Sequence, residues 1–354
     1  MKRYKLFLKG LLSVNILLIL FVLMMGIEES NQKVQPVDAS QINELESTTY
    51  VTPVGKTVGI YINTKGVFVI DTGCIKDCYG NVVSPAKNKL QTGDYILSLN
   101  GEEMNTKKQL IEAITTCQGK LLCFEVLREG EICNVEIQPV QTDMDTCKIG
   151  IWVRDDLQGL GTMTYVKNNQ FTALGHSVND KDVGSLLDIS GGDIYEATIF
   201  GIDKGEKGEP GIIEGAISYD TDYILGHIEG NYVYGIYGEM TKKAQEEMES
   251  LKSMPVATVG EVEKGRAYLQ SYVSGECQQY EVEIEGFHKN DNGDMEMEIK
   301  VIDPELLDLT GGIIQGMSGS PLVQNGKMIG AVTHVYVDDP TRGYGIFIEN
   351  MLEH

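Results

Sequence analysis

Basic residues are scarce in this chain. Lysine and arginine total 29 against 52 aspartates and glutamates in 354 residues, a formal charge of −23. So acidic a surface repels phosphate backbones, which excludes nucleic acid as a partner. Proline is also sparse, nine residues against 40 glycines, a balance that fits many tight turns between short strands. Histidine is limited to five residues. No two of them stand at ligand spacing, so no metal site is expected, and nothing implies a cofactor. The seven cysteines are an odd count. None sits in a motif with a histidine, which argues against a thiol enzyme, and Cys74-x3-Cys78 lacks the partners a zinc site needs. What the chain does have is a hydrophobic fraction of 42%, enough for buried cores, and length for two or three domains.

The N-terminus carries an address. Lys2, Arg3, Lys5 and Lys9 precede an almost unbroken apolar run over residues 11–27. That run is at the short end for a membrane-spanning helix. Its basic flank should stay in the cytoplasm and send the remainder outward. No small-residue cleavage motif follows, so residues 1–27 are expected to be an uncleaved signal-anchor. Residues 28–53 are polar and aperiodic, as in a flexible stalk.

From residue 54 to 146 the texture is short strands and one helix. GDYILSLNG reads as a strand closed by a turn at Asn100-Gly101. In TKKQLIEAITTC, Thr106 with Gln109 three residues on forms a capping box, and Leu110, Ile111 and Ile114 supply an apolar face. A hairpin turning at Glu129-Gly130 ends the unit. GDYILSLNGEEMNTKKQLIEAI resembles a PDZ domain of the exported-protease type. That resemblance implies a carboxylate-binding loop at Gly55, Thr57, Val58, Gly59 and Ile60. There a guest peptide would add a strand to an open sheet edge.

Residues 147–354 read as about ten short strands. Tyr280-Glu-Val-Glu-Ile284 and Met295-Glu-Met-Glu-Ile299 alternate apolar and acidic positions, and one helical patch, TKKAQEEMESLK, interrupts the series. The expected fold is mainly β, a barrel or sandwich or two stacked barrels.

GGIIQGMSGSPLVQNGKMIGAVTHV, residues 311–335, surrounds Ser318 with glycines and closes as a hairpin at Asn325-Gly326. A serine hydroxyl attacks only when a base takes its proton and donors stabilise the oxyanion. Glycine lets a tight turn aim two backbone N–H groups at one point. Gly316 and Ser318 are the candidate oxyanion-hole donors, and Ser318 is the candidate nucleophile, with Ser320 as local rival. Among the histidines, His176 in FTALGHS follows an apolar strand in a small-residue turn, and it is the candidate base.

TALGHS and GMSGSP resemble, though not residue for residue, the TAAHC and GxSGGP signatures of chymotrypsin-like peptidases. TALGHSVND, the stretch 311–352 and the PDZ-like stretch together resemble the stage IV sporulation protein B family more closely. That resemblance implies an N-terminal anchor, a PDZ domain and a chymotrypsin-like double β-barrel, trypsin-like in character. It implies a serine endopeptidase exported to the space between forespore and mother-cell membranes. Such an enzyme cleaves its own N-terminal region and then a membrane-associated regulator of an intramembrane metalloprotease, the one that activates the late mother-cell sigma factor. It also implies Asp303 as the triad acid. The residues alone leave Asp180, Asp182, Asp193, Asp220 and Asp222 open for that role. An alternative is an anchored PDZ scaffold that binds peptide C-termini and has lost catalysis.

Overall fold

The computed structural model describes residues 48–179, 186–290 and 293–353. The expected anchor, and the stalk as far as residue 47, lie outside them. Among the described residues no helix is long and apolar enough to cross a membrane.

β1 (Tyr50–Thr72) is a strand of 23 residues that contributes to two cores within one 12-stranded sheet. Its C-terminal part pairs with β2 (Tyr95–Leu99), which continues to β3 (Leu122–Arg128) and β4 (Glu131–Ile137). Helix α1 (Lys107–Thr115) packs beside them, and its capping box of Thr106 and Gln109 is present as the spacing predicts. Leu110 and Ile114 are buried but Ile111 is exposed, since adjacent residues on a helix do not share a face. Asn100-Gly101 and Glu129-Gly130 all have positive φ, the conformation a two-residue hairpin turn requires. Val67, Val69, Ile96, Leu99, Phe124, Val126 and Ile137 fill this smaller core. The aspartate of the Gly-Asp motif, Asp94, is wholly buried and accepts hydrogen bonds from Nε and Nη2 of Arg128, each at 2.7 Å. A buried carboxylate needs such a partner.

Six strands close the first barrel. They are β1, β5 (Ile151–Lys167), β6 (Gln170–Ala173), β7 (Ile189–Asp203), β9 (Ile224–Tyr232) and β10 (Gly235–Met240); β8 (Ile212–Ile217) is added outside β7. Pairing runs β1–β5–β6–β10–β9–β7 and back to β1, so Val58 to Asn63 in the middle of β1 are paired along both edges. Val58, Ile62, Met163, Phe171, Ile194 and Ile236 fill its interior. Thr241 then caps α2 (Lys242–Met248) inside the helical patch.

The second barrel holds β11 (Gly265–Ser271), β12 (Gln278–Lys289), β13 (Met295–Val301), β14 (Pro321–Gln324), β15 (Lys327–Tyr336) and β16 (Asp339–Phe347). They pair in the closed order β11-β12-β13-β16-β15-β14. Tyr280, Val282, Ile284, Met297 and Ile299 point inward and are buried, as the alternation requires. Helix α3 (Pro304–Thr310) stands between β13 and the Ser318 segment.

Two expectations are corrected. The module boundary at residue 54 falls within β1, and residues 50–53, assigned to the stalk, open that strand. A continuous strand can pass from one core to another without a change in composition. The expected carboxylate loop is no loop either. Gly55, Thr57, Val58, Gly59 and Ile60 are buried in β1, with Thr57 to Ile60 paired to β5 and Val58 to Ile60 paired to β7 as well. A strand bonded on both edges has no row of amides left for a guest peptide.

Candidate active site

The glycines around Ser318 are set by two consecutive turns. Met317 N–H donates to the Ile314 carbonyl at 3.1 Å, and Ser320 N–H to the Met317 carbonyl at 2.9 Å. Gly316 and Gly319 occupy the third positions, with φ of 100° and 95°. Positive φ at that position is what glycine supplies in type II turns. Ile314 and Met317, between the glycines, are buried in the second barrel. Their side chains pin the turns, and Ser318 is carried at the crest.

His176 is placed by a different device. β6 ends at Ala173, and Leu174 and Gly175 follow with φ of 75° and 70°. For leucine this conformation costs about 1–2 kcal/mol, and it swings the chain out of the strand so that His176 leaves the barrel wall. The ring is half-buried, and its Nδ1 lies 2.8 Å from the Ser177 carbonyl oxygen. A carbonyl only accepts, so Nδ1 carries the proton and Nε2 keeps its lone pair. Burial holds the imidazolium pKa down to about 4, with the nearby His334 ring adding to the effect. The two ring centroids are 4.9 Å apart.

Thr162 of β5 ties both segments together. Its N–H donates to the Ser318 carbonyl at 3.1 Å and its carbonyl accepts the Leu174 N–H at 3.1 Å. Its hydroxyl donates to the Gly316 carbonyl at 2.7 Å. A Cβ at Gly319 would stand 2.3 Å from the Thr162 carbonyl oxygen and 2.6 Å from the Leu174 nitrogen. Glycine is therefore needed here for approach as well as for φ.

His176, Gly316 and Ser318 line one cavity of about 580 Å³, walled by Ile60, Ile62 and Leu157. The Gly316 and Ser318 N–H groups have no hydrogen-bond partner among the described residues. The Gly316 N–H is also oriented. Gln315 C=O belongs to the same peptide group and accepts the Ile213 N–H at 2.9 Å, while Gln315 N–H donates to Gly211 at 2.8 Å. In a trans peptide the N–H must then point the opposite way. The Ser318 hydroxyl itself donates to the Thr333 carbonyl at 2.7 Å.

Other candidates lie elsewhere. Ser320 is fully buried, its hydroxyl unpartnered, and it does not line the cavity. Asp303 is not joined to His176. Its Oδ1 accepts the Glu305 and Leu306 N–H groups at 2.9 and 3.2 Å, and its Oδ2 the Glu281 N–H at 3.1 Å. Asp193 pairs with His227 at 2.7 Å, and Asp220 accepts the Asp222 N–H. Asp180 and Asp182 lie outside the described residues. Thr162 and Ile213 went unnoticed in the sequence, and Ser177 counted only as a small turn residue, because all three act mainly through the main chain, which residue types do not reveal.

The family model described as SpoIVB peptidase S55 matches residues 145–352. Among solved structures, Rv3671c protease from M. tuberculosis H37Rv, in an inactive form, is similar over 55% of this chain and 78% of its own, at 15% identity and a TM-score of 0.29. A thermostable serine protease, AL20, from an extremophilic microorganism is similar over 55% of this chain and 85% of its own, at 14% identity and a TM-score of 0.29. Both likenesses are weak.

Proposed function

The chain belongs to the SpoIVB peptidase S55 family and is a serine peptidase, and on that premise we propose that Ser318 is its nucleophile and His176 its general base. The observation that carries this reading is a single cavity lined by a hydroxyl, a neutral imidazole and two amides without partners. The Ser318 hydroxyl exchanges its acceptor, from the Thr333 carbonyl to His176 Nε2. Oγ then attacks the peptide carbonyl as its proton passes to Nε2. The Gly316 and Ser318 N–H groups take the oxyanion, each worth about 3–4 kcal/mol in the transition state. The imidazolium returns the proton to the leaving amine, and water hydrolyses the acyl-enzyme.

The substrates follow the family resemblance. The chain acts at the extracytoplasmic face of a membrane, held by residues 1–27. It cleaves its own N-terminal region and a regulator of the metalloprotease that activates the late mother-cell sigma factor. The basic residues before the apolar run support export. The smaller core built on β1 to β4 and α1 serves as a PDZ-like module for protein contacts. Ser318→Ala should abolish self-cleavage and labelling by a fluorophosphonate probe with the fold intact. A wild-type chain that takes no label would refute the peptidase role and leave an anchored scaffold.

A further inference from the structure

We propose that His334 is a positioning residue for the reaction: its ring, turned out of the second barrel by a β-bulge, holds the His176 imidazole in place for Ser318. The inference deepens the peptidase reading and rests on it.

The bulge is evident in register and in burial. Val332 of β15 pairs with Gly345 of β16 and Val335 with Gly343, so Thr333 and His334 together oppose Tyr344 alone. One extra residue in a strand is a β-bulge, which interrupts the alternation and re-aims a side chain. Val332 and Val335 accordingly both pack on the core of the second barrel. Strict alternation would have turned His334 inward beside Val332. His334 is exposed instead. Gly343 makes the room, since a Cβ there would stand 2.4 Å from the His334 carbonyl oxygen.

This one bulge touches both reacting residues. The Thr333 carbonyl accepts the Ser318 hydroxyl at 2.7 Å. Beside that contact, Gly319 N–H donates to the Val332 carbonyl at 2.8 Å and Val332 N–H to the Ser320 carbonyl at 3.0 Å. The histidine turn rests on the same stretch. A Cβ at Gly175 would lie 3.2 Å from the Val332 carbonyl oxygen and 3.4 Å from Thr333 Cγ2. His334 then meets His176 ring to ring, with centroids 4.9 Å apart and planes inclined by 32°. That separation lies in the range aromatic pairs prefer. The Nδ1 bond to the Ser177 carbonyl anchors one edge of the His176 ring, and a second ring packed against it limits its tilt about that bond. Tilt matters because misplacing a reacting group by about 1 Å costs about 10²-fold in rate.

The test is turnover of a fluorogenic peptide by full-length His334→Ala and His334→Phe. A ring contact is a weak interaction, so kcat of His334→Ala should fall about tenfold, with KM within about twofold of wild type. His334→Phe keeps a ring and should recover most of the lost kcat. Unchanged kcat in His334→Ala would overturn the proposal. So would a phenylalanine variant no better than alanine, which would assign the effect to a ring nitrogen. A raised KM at wild-type kcat would make His334 a substrate contact and overturn it equally. Should the variants fold poorly, proton NMR of the Ser318→Ala chain still decides. A nuclear Overhauser effect between the His176 and His334 ring protons is expected, and its absence overturns the contact. That readout needs no activity. A wild-type chain that takes no fluorophosphonate is therefore a separate failure, that of the peptidase reading itself.

Discussion

Thr162→Val isolates the contact on which both halves of the site depend. The side chain is 1% exposed, and valine matches its shape, so the change is close to the deletion of one hydroxyl. The bond removed is the 2.7 Å donation to the Gly316 carbonyl. Both main-chain bonds of Thr162, to Ser318 and Leu174, remain. Leaving a buried acceptor without its donor costs about 1–3 kcal/mol. At about 2–4 °C per kcal/mol for a domain of this size, the melting temperature should fall by roughly 2–12 °C. The kinetic effect should be larger in proportion. The Gly316 carbonyl fixes the peptide between the two turns, with an oxyanion donor on either side. Freeing that peptide misplaces at least one donor, at about 10²-fold in turnover. Thr162→Ser retains the hydroxyl and should recover most of the turnover while losing only the methyl's packing. The assay is turnover of a fluorogenic peptide read beside thermal melting for wild type and both variants. Full turnover in Thr162→Val, or equal loss in Thr162→Ser, would refute the reasoning.

Two further outcomes follow from buried charge. The His176 pKa falls from 6.5 unfolded to about 4 folded. Between those values the unfolded chain binds a proton that the native chain excludes, so stability is lost as pH drops from 6.5 towards 4. The difference of 6.5 − 4 = 2.5 is worth at most about 3 kcal/mol, less because the ring is not wholly buried. Denaturant melts of wild type and His176→Gln across this window should diverge with pH, and parallel curves would contradict the assignment. Arg128→Leu strands the Asp94 carboxylate, wholly buried, with only the Gln91 N–H at 2.9 Å for company. It should cost about 3–5 kcal/mol, and an unchanged urea midpoint would show that the smaller core does not need the pair.

Local chemistry was written in the residue order. The capping box at Thr106 and Gln109, the turns at Asn100-Gly101, Glu129-Gly130 and Asn325-Gly326, and the inward faces of β12 and β13 each depend on residues a few positions apart. The crowding of glycine around Ser318 was legible for the same reason, because φ is a property of single positions. The five residues of the expected carboxylate loop could not be placed from sequence. Gly55 to Ile60 carry the same composition in a free turn as in a strand, and only the approach of β5 and β7 turned them into barrel wall. Asp303 shows the same limit. An Asp-Pro pair before an apolar stretch does not reveal which partners its carboxylate takes, and only the fold brings three amides onto the Asp303 oxygens. The sequence by itself determined which residues could turn, cap, ionise or attack. Tertiary structure decided which of them meet, because Thr162, 156 positions before Ser318 (318 − 162), joins the Ser318 turn to the segment that leads into His176 through main-chain bonds that every residue type can make.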